Sequence, residues 1–260
     1  MEEHKAKAVI LAGGKGTRLM PLTEVTNKVL LPIYDRPMIE SPLETVKNMG
    51  IKEVCIVTSR EHLSSFMKFL GSGESRGMKF TYVVQEKPLG NAHAFLQAEN
   101  FAKGSKVVLI FGDNIFENVD VPKYALDDRN SYIFIKEVRG PQRFGVATMD
   151  HEGNVIDIEE KPKNPKSNSA VTGLYIYPSD VFDIAKTLKP SKRGELEIVE
   201  VINHYIKQKR VKVIGVKGYW LDTGNFEYLL KASILRAIAV DPSIIEGIDM
   251  KKLRKTLTDI

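Results

Sequence analysis

Ala8-Val-Ile-Leu-Ala-Gly-Gly-Lys-Gly-Thr-Arg-Leu19 decides the fold. Its first five residues form a continuous apolar run, the pattern of a strand buried on both faces. Gly13, Gly14 and Gly16 follow at once. Glycines let the chain turn tightly out of a strand and bring backbone N–H groups close to an anion. Lys15 and Arg18 add positive charge in the same loop. The stretch reads as a phosphate-holding loop, or more blandly as a tight turn with solvated basic side chains. Two familiar phosphate loops do not fit it. A dinucleotide fingerprint needs a third glycine where Leu19 stands, and a P-loop needs its leading glycine where Val9 stands. A hydride-transfer enzyme and a P-loop ATPase are both disfavoured.

Outward from this loop, short apolar runs alternate with amphipathic stretches. Strands are expected at 54–58, 80–84 and 107–111. Helices are expected at 38–49, 61–70 and 91–102, the first two stopped by Gly50 and Gly71. This rhythm implies a mostly parallel sheet covered by helices. Beyond residue 115 it changes. Strands at 132–138, 144–149, 155–159 and 171–177 follow with no long helix between them, with a turn at 150–153 and a polar loop at 162–169. Helices at 179–188 and 196–208, a strand at 211–216 and a helix at 226–240 complete the pattern. Asp241-Pro242 breaks that helix, and 250–257 suggests a last short one whose basic residues, 251–255, form an exposed face. The expected architecture is α/β, with 1–240 as one domain that carries an added β-rich segment and 241–260 as a short helical tail.

Composition narrows the function classes. The 260 residues carry 38 Lys and Arg against 33 Asp and Glu, a formal charge of +5. That surplus helps attract small anions but does not by itself argue for nucleic acid. A single cysteine, Cys55, excludes an intrachain disulfide and a cysteine metal cluster, and fits a reducing cytoplasm. No apolar stretch approaches the ~20 residues that span a membrane. The charged first residues give no signal peptide.

Longer motifs identify the loop more closely. Leu11 to Leu19 followed by Lys28 and Pro32 resembles the pattern of the sugar-1-phosphate nucleotidyltransferases. Asn27-Lys-Val-Leu-Leu-Pro-Ile-Tyr-Asp-Arg-Pro-Met38 is closest to their glucose-1-phosphate thymidylyltransferase branch. The resemblance continues in order through Gln85-Glu-Lys-Pro-Leu-Gly-Asn-Ala-His-Ala94, Gly112-Asp-Asn-Ile-Phe116, Arg143-Phe-Gly-Val146, Glu159-Glu-Lys-Pro162 and Ala170-Val-Thr-Gly-Leu-Tyr175. It ends with Arg193-Gly-Glu-Leu-Glu-Ile198 and Trp220-Leu-Asp-Thr-Gly224. It implies the nucleotide-diphospho-sugar transferase fold, a Rossmann-like sheet with an inserted β-rich sugar-binding segment.

The resemblance also implies a reaction. The phosphate of glucose-1-phosphate attacks the α-phosphorus of dTTP or UTP, giving dTDP-glucose or UDP-glucose and pyrophosphate. An anionic nucleophile needs no strong base, so catalysis rests on positioning and charge neutralisation. Arg18 is expected on the β,γ-phosphates, Lys28 on the α-phosphate, and Lys161 and Arg193 on the sugar phosphate. Asp113 and Asp222 would hold one Mg2+. Leu11, Ala12, Gly13, Gly14, Gly16 and Thr17, with Gln85, Gly90 and Asp113, would take the nucleotide. Gln85 can both donate and accept, which suits thymine or uracil. Asn114, Gly145, Glu160, Val171, Tyr175 and Trp220 would form the sugar pocket. His93 and Cys55 read as structural.

Two departures from the pattern leave alternatives. Gly90-Asn-Ala-His-Ala94 replaces the branch's usual Gly-Leu-Ala-Gln-Ala and looks more like relatives that use UTP. The short tail after Asp241 does not carry over the allosteric product site of the long forms, and it leaves a homo-oligomer open. A uridylyltransferase acting on another sugar-1-phosphate, and a catalytically silent nucleotide-sugar sensor, are the competing readings. The full set of cations and carboxylates argues against the second.

Overall fold

The computed structural model describes residues 6–126, 129–246, 249, 253 and 257. Its core is a nine-stranded mixed sheet. Strand β1 (Ala6–Leu11) pairs in parallel with β2 (Glu53–Thr58) on one side, and β2 pairs in parallel with β3 (Lys79–Val84). On its other side β1 pairs in parallel with β4 (Lys106–Phe111). The chain thus runs outward from β1 to β3, then crosses back to the far flank of β1. Such a reversal opens a crevice beyond the carboxyl ends of the two central strands, where α/β sheets place their ligands. Leu11 faces Phe111 in register at that point. The glycine loop leaves one strand there and Gly112-Asp113 leaves the other.

Beyond β4 the sheet becomes antiparallel. Strand β5 (Asn114–Phe116) stands apart. β6 (Ser131–Glu137), β7 (Gly145–Met149), β8 (Val155–Glu160) and β9 (Ser169–Tyr177) form the β-rich half. β9 is the hub, because it pairs antiparallel with β4, β6 and β7. All nine of its residues are buried. β10 (Val211–Gly215) extends the edge in parallel with β6. β11 (Trp220–Asp222) pairs antiparallel with β5, setting Asp222 opposite Asn114. The sequence pattern does not show β5 or β11, since three residues are too few to display a period of two.

Alternation along the strands divides the core between the two faces. Ala8 and Ile10 of β1 point into one cluster with Val54, Ile56, Phe66, Val108 and Ile110. Val9 points into the other with Cys55, Val57, Phe95, Leu109 and Tyr177. Helices α1 (Glu40–Asn48) and α2 (Leu63–Leu70) cover the first face with α5 (Phe226–Val240). α3 (Asn91–Leu96) and α4 (Ile198–Lys207) cover the second.

The expected helix at 91–102 divides into Asn91–Leu96 and Glu99–Ala102, because the chain tightens between them. Gln97 N–H bonds to the Ala94 carbonyl and Ala98 N–H to that of Phe95. The helix expected at 179–188 spans only Val181–Ala185, and the Asp180 carboxylate accepts from Tyr205 and Arg210 instead of capping it. α1 starts at Glu40, not residue 38, because Met38 and Ile39 use their N–H groups on Leu31 and Val29. The helix expected at 250–257 lies outside the described residues, save for Leu253 and Leu257, which are helical.

Ile10 is fully buried in the central strand. Ile10→Ala should lower unfolding free energy by about 3 kcal/mol, read from urea denaturation with unchanged m-value.

Candidate active site

Two adjoining cavities open at the carboxyl end of β1 and β4. One, about 280 Å³, is lined by Leu11, Gly13, Gly14, Lys28, Gln85 and Gly90, among others. The second, about 160 Å³, is lined by Arg18, Asn114, Glu160, Lys161, Tyr175 and Asp222, among others. Asn91, Phe111 and Asp113 border both. The expected nucleotide residues Ala12, Gly16 and Thr17 border neither. Ala12 is buried behind the loop, and Thr17 is exposed beside it. All six expected sugar-pocket residues line the second cavity, with Gly145, Val171 and Trp220 completing the set.

Local chemistry explains how the loop is held. The Asn27 side chain accepts from the Val29 N–H at 3.0 Å and donates to the Ala12 carbonyl at 2.8 Å. It caps the turn carrying Lys28 and fastens that turn to the glycine loop. Sequence reasoning passed over Asn27, although an Asx residue just ahead of a turn is the visible signal. The Lys28 ammonium then reaches the Asp113 carboxylate and donates to its Oδ2.

Asp113 and Asp222 are far apart in sequence, and the pairing of β5 with β11 brings them together. Thr223 fixes the junction, because its N–H and hydroxyl both donate to the Asp113 carbonyl, at 2.9 and 2.6 Å. Asn114 is a buried crosspiece. Its Oδ1 accepts from Trp220 Nε1 at 2.6 Å and from Gly173 N–H at 3.0 Å, and its Nδ2 donates to Asp113 Oδ1 at 3.1 Å. Phe111 lies against Tyr175 and Phe144 against Trp220, giving the second cavity aromatic walls.

The charges in this cluster are unequal. Burial opposes ionisation of Asp113, but the charge and hydrogen bond of Lys28, with the Asn114 amide, hold its carboxyl below the ordinary value. Burial likewise opposes the Lys28 charge, yet Asp113 and then Asp222 keep its pKa raised. Asp222 is pushed up to about 6, first by burial and then by the charge of Asp113, against the pull of Lys28 and Arg18. Two carboxylates thus meet here at the edge of both cavities, with Lys28 on Asp113 and Arg18 near Asp222. That donor chemistry fits a hard divalent cation whose remaining positions are filled by phosphate and water. Among the described residues no cluster of three or more His, Cys, Asp or Glu side chains could hold a metal without such help.

The two cations expected on the sugar phosphate are paired with acids. Lys161 Nζ lies 3.3 Å from Glu160. Its backbone sits at φ 46°, a left-handed conformation unusual outside glycine and typical of functional positions. Arg193 lies 3.0 Å from Glu197 and 3.6 Å from both Glu160 and Glu195. It borders neither cavity directly, unlike Glu160 and Glu195. Burial, then the charge of Glu160, raises the pKa of Glu197.

The Arg193 segment is welded to the 88–92 loop. Ala92 N–H donates to the Leu196 carbonyl, Leu196 N–H donates to that of Leu89, and the Asn91 side chain accepts from Ile198 N–H. Gly90 sits at φ 108°, and a Cβ there would lie 2.5 Å from the Leu196 carbonyl oxygen. Only glycine fits at that crossing. Asn91 therefore caps α4 from a distance, a role that no local pattern announces.

A crevice at the sheet reversal, a glycine loop and clustered cations beside paired carboxylates define a site for joining phosphorylated substrates. The chain belongs to the nucleotidyl transferase family, whose model matches residues 7–237. It is a nucleotidyltransferase of the type found in nucleotide-sugar biosynthesis, a family that generally uses a divalent metal. It is 39% identical to a glucose-1-phosphate thymidylyltransferase of Actinoplanes sp. over 250 residues, covering 94% of this chain and 81% of that one. A namesake from Mycobacterium tuberculosis is 42% identical over 232 residues, covering 87% and 81%. A Bacillus anthracis structure in complex with a sucrose superposes with TM-score 0.82 at 42% identity, covering 88% of this chain and 94% of that one. A UDP-glucose pyrophosphorylase complexed with UDP-glucose gives 0.80 at 28% identity, covering 90% and 99%. The fold is that of the nucleotide-diphospho-sugar transferases. Among the described residues no helix is long and apolar enough to cross a membrane.

Asn27→Ala would leave the Val29 N–H without its partner and the Ala12 carbonyl with only the Thr58 hydroxyl at 3.4 Å. It should cost roughly 2 kcal/mol in a thermal or denaturant melt. Loosening the Lys28 turn should also lower kcat on the order of 10-fold in a pyrophosphate-release assay.

Proposed function

We propose that the protein transfers the nucleotidyl group of dTTP or UTP to glucose-1-phosphate, with Mg2+, releasing pyrophosphate. The observation that carries this reading is the meeting of the two cavities at Asp113. The glycine-loop cavity receives the nucleoside triphosphate, with Gln85 at the base. The aromatic-walled cavity receives the sugar, whose hydroxyls find an acceptor in Glu160. The two phosphates then face each other across the carboxylate pair.

In the step itself, an oxygen of the sugar phosphate forms a bond to the α-phosphorus. The bond from that phosphorus to the bridging oxygen breaks, and its electron pair leaves with pyrophosphate. Lys28 neutralises the α-phosphate and Arg18 the departing group. Lys161 and Arg193 orient the attacking phosphate. Asp113 and Asp222 would hold Mg2+, which when bound screens the phosphate charges. The match to the curated thymidylyltransferases supports glucose-1-phosphate as acceptor. The segment Gly90-Asn-Ala-His-Ala94 keeps UTP beside dTTP as donor. Residues 1–240 act as the catalytic unit with 241–260 as a tail, supported by a family match that ends at 237. Reliance on nucleoside triphosphates and a buried free thiol at Cys55 support a cytoplasmic setting.

The deciding experiment is pyrophosphate release from dTTP, UTP, dCTP and dATP against several hexose-1-phosphates with Mg2+. Release with dTTP or UTP and glucose-1-phosphate is expected. No release from any pair would sink the proposal. Asp222→Asn keeps the volume, removes a metal-binding oxygen and leaves the Lys28–Asp113 pair intact. It should lower turnover by about 100-fold or more without loss of melting temperature. The proton and Mg2+ compete for Asp222, so the Mg2+ concentration for half-activity should rise steeply as pH falls through about 6. A flat Mg2+ requirement across that range would contradict the assignment.

A further inference from the structure

Gln85 lines the glycine-loop cavity, and His93 stands behind it on α3 without bordering the cavity. Gln85 Nε2 lies 3.2 Å from His93 Nδ1 and 3.4 Å from the Gly90 carbonyl oxygen. A carbonyl can only accept, so the amine half of the Gln85 amide must face this side. His93 Nδ1 is then placed to accept the other amine hydrogen. Both amine hydrogens are consumed away from the cavity. The opposite edge of the amide presents Oε1 alone, packed beside Gly13. A Cβ on Gly13 would lie 3.1 Å from that oxygen.

A fixed amide is a choice of base. An acceptor at that edge matches the ring N3–H of a pyrimidine-2,4-dione such as uracil or thymine. The N3 of cytosine carries a lone pair instead of a proton, and it would meet Oε1 as acceptor against acceptor. A freely rotating Gln85 could turn its amine to cytosine and lose that discrimination. Sites that hydrogen-bond one partner reject the mismatched analogue because a buried polar group is left unpaired.

We propose that His93 is a positioning residue that locks the Gln85 amide with its oxygen towards the base, so that the protein selects pyrimidine-2,4-dione nucleotides over cytosine nucleotides. The proposal rests on the reading of the glycine-loop cavity as the nucleotide pocket. It revises the sequence expectation that His93 is merely structural. The sequence marks residues 90–94 as bearing on the donor base but not how His93 would act, since it works through a side chain eight positions earlier.

The test compares wild type, His93→Leu and His93→Asn. Asn can place its Oδ1 where His93 Nδ1 stands and restore the acceptor, whereas Leu places a methyl group there. Binding of dTTP and dCTP is measured by calorimetry alongside pyrophosphate release with glucose-1-phosphate. Wild type should prefer dTTP to dCTP. In His93→Leu that preference should fall roughly 10-fold or more. The loss should appear in the KM for dTTP, with kcat and the KM for glucose-1-phosphate little changed. His93→Asn should recover most of the preference. Wild-type preference retained in His93→Leu overturns the proposal. So does an equal loss in both variants accompanied by a raised KM for glucose-1-phosphate, because that marks a general packing defect. A wild type that binds dTTP no better than dCTP overturns it too. If wild type favours dTTP in binding yet releases no pyrophosphate, the reaction assignment falls, and the two variants still decide the role of His93 by calorimetry.

Discussion

The structure turns on one buried ion pair, Lys28 with Asp113. Taking both charges out of water is costly, and their attraction repays it only if the geometry is kept. Every nearby element serves that geometry. Asn27 fastens the lysine turn to the glycine loop, and Thr223 fastens β11 to the backbone of Asp113. The pair also sits where β1 and β4 end side by side, the point at which the sheet reverses its order. Asp222 and Arg18 extend the pair into a cluster of two carboxylates and two cations.

Asn114 ties this centre to the sugar side. Its oxygen holds both the Trp220 indole and the backbone of β9, while its amide supports Asp113. A ligand pressing on the aromatic wall therefore presses on the residue that orients the carboxylate. Asn114 lines only the second cavity, but its amide holds Asp113, which borders both. The hub position of β9 works in the same direction. It lies against β4 on one flank, so the sugar-side strands share a frame with the strand that ends at Asp113.

Much of this was legible in the sequence, and the reason is specific. Residues that line the two cavities sit in long ordered motifs at strand ends, so the glycine loop, Asp113, Glu160, Lys161 and Trp220 announce themselves. The parallel half of the sheet shows equally well, because fully buried strands read as unbroken apolar runs. What stayed hidden acts through other residues. Asn27 ties its turn to the Ala12 carbonyl fifteen residues earlier, Asn91 caps distant backbone, and His93 orients an amide across a helix-to-loop contact. β5 and β11 are three residues each, and only their tertiary pairing makes them strands. A motif records what a residue touches in the ligand, whereas these roles are defined by partners many positions away.

The charge pattern makes a related point about selectivity. The net +5 suggests a generally basic molecule, yet the sugar-side cations are not free. Lys161 is paired with Glu160, and Arg193 faces Glu160, Glu195 and Glu197. A simple anion arriving there must compete with carboxylates already in place. A sugar phosphate offers more, because its hydroxyls can take up the carboxylate oxygens that its phosphate displaces from the cations. The exchange conserves hydrogen bonds only for a ligand carrying both groups. Pairing each cation with an acid thus lowers the repulsion among cations before binding and penalises ligands that bring phosphate without hydroxyls.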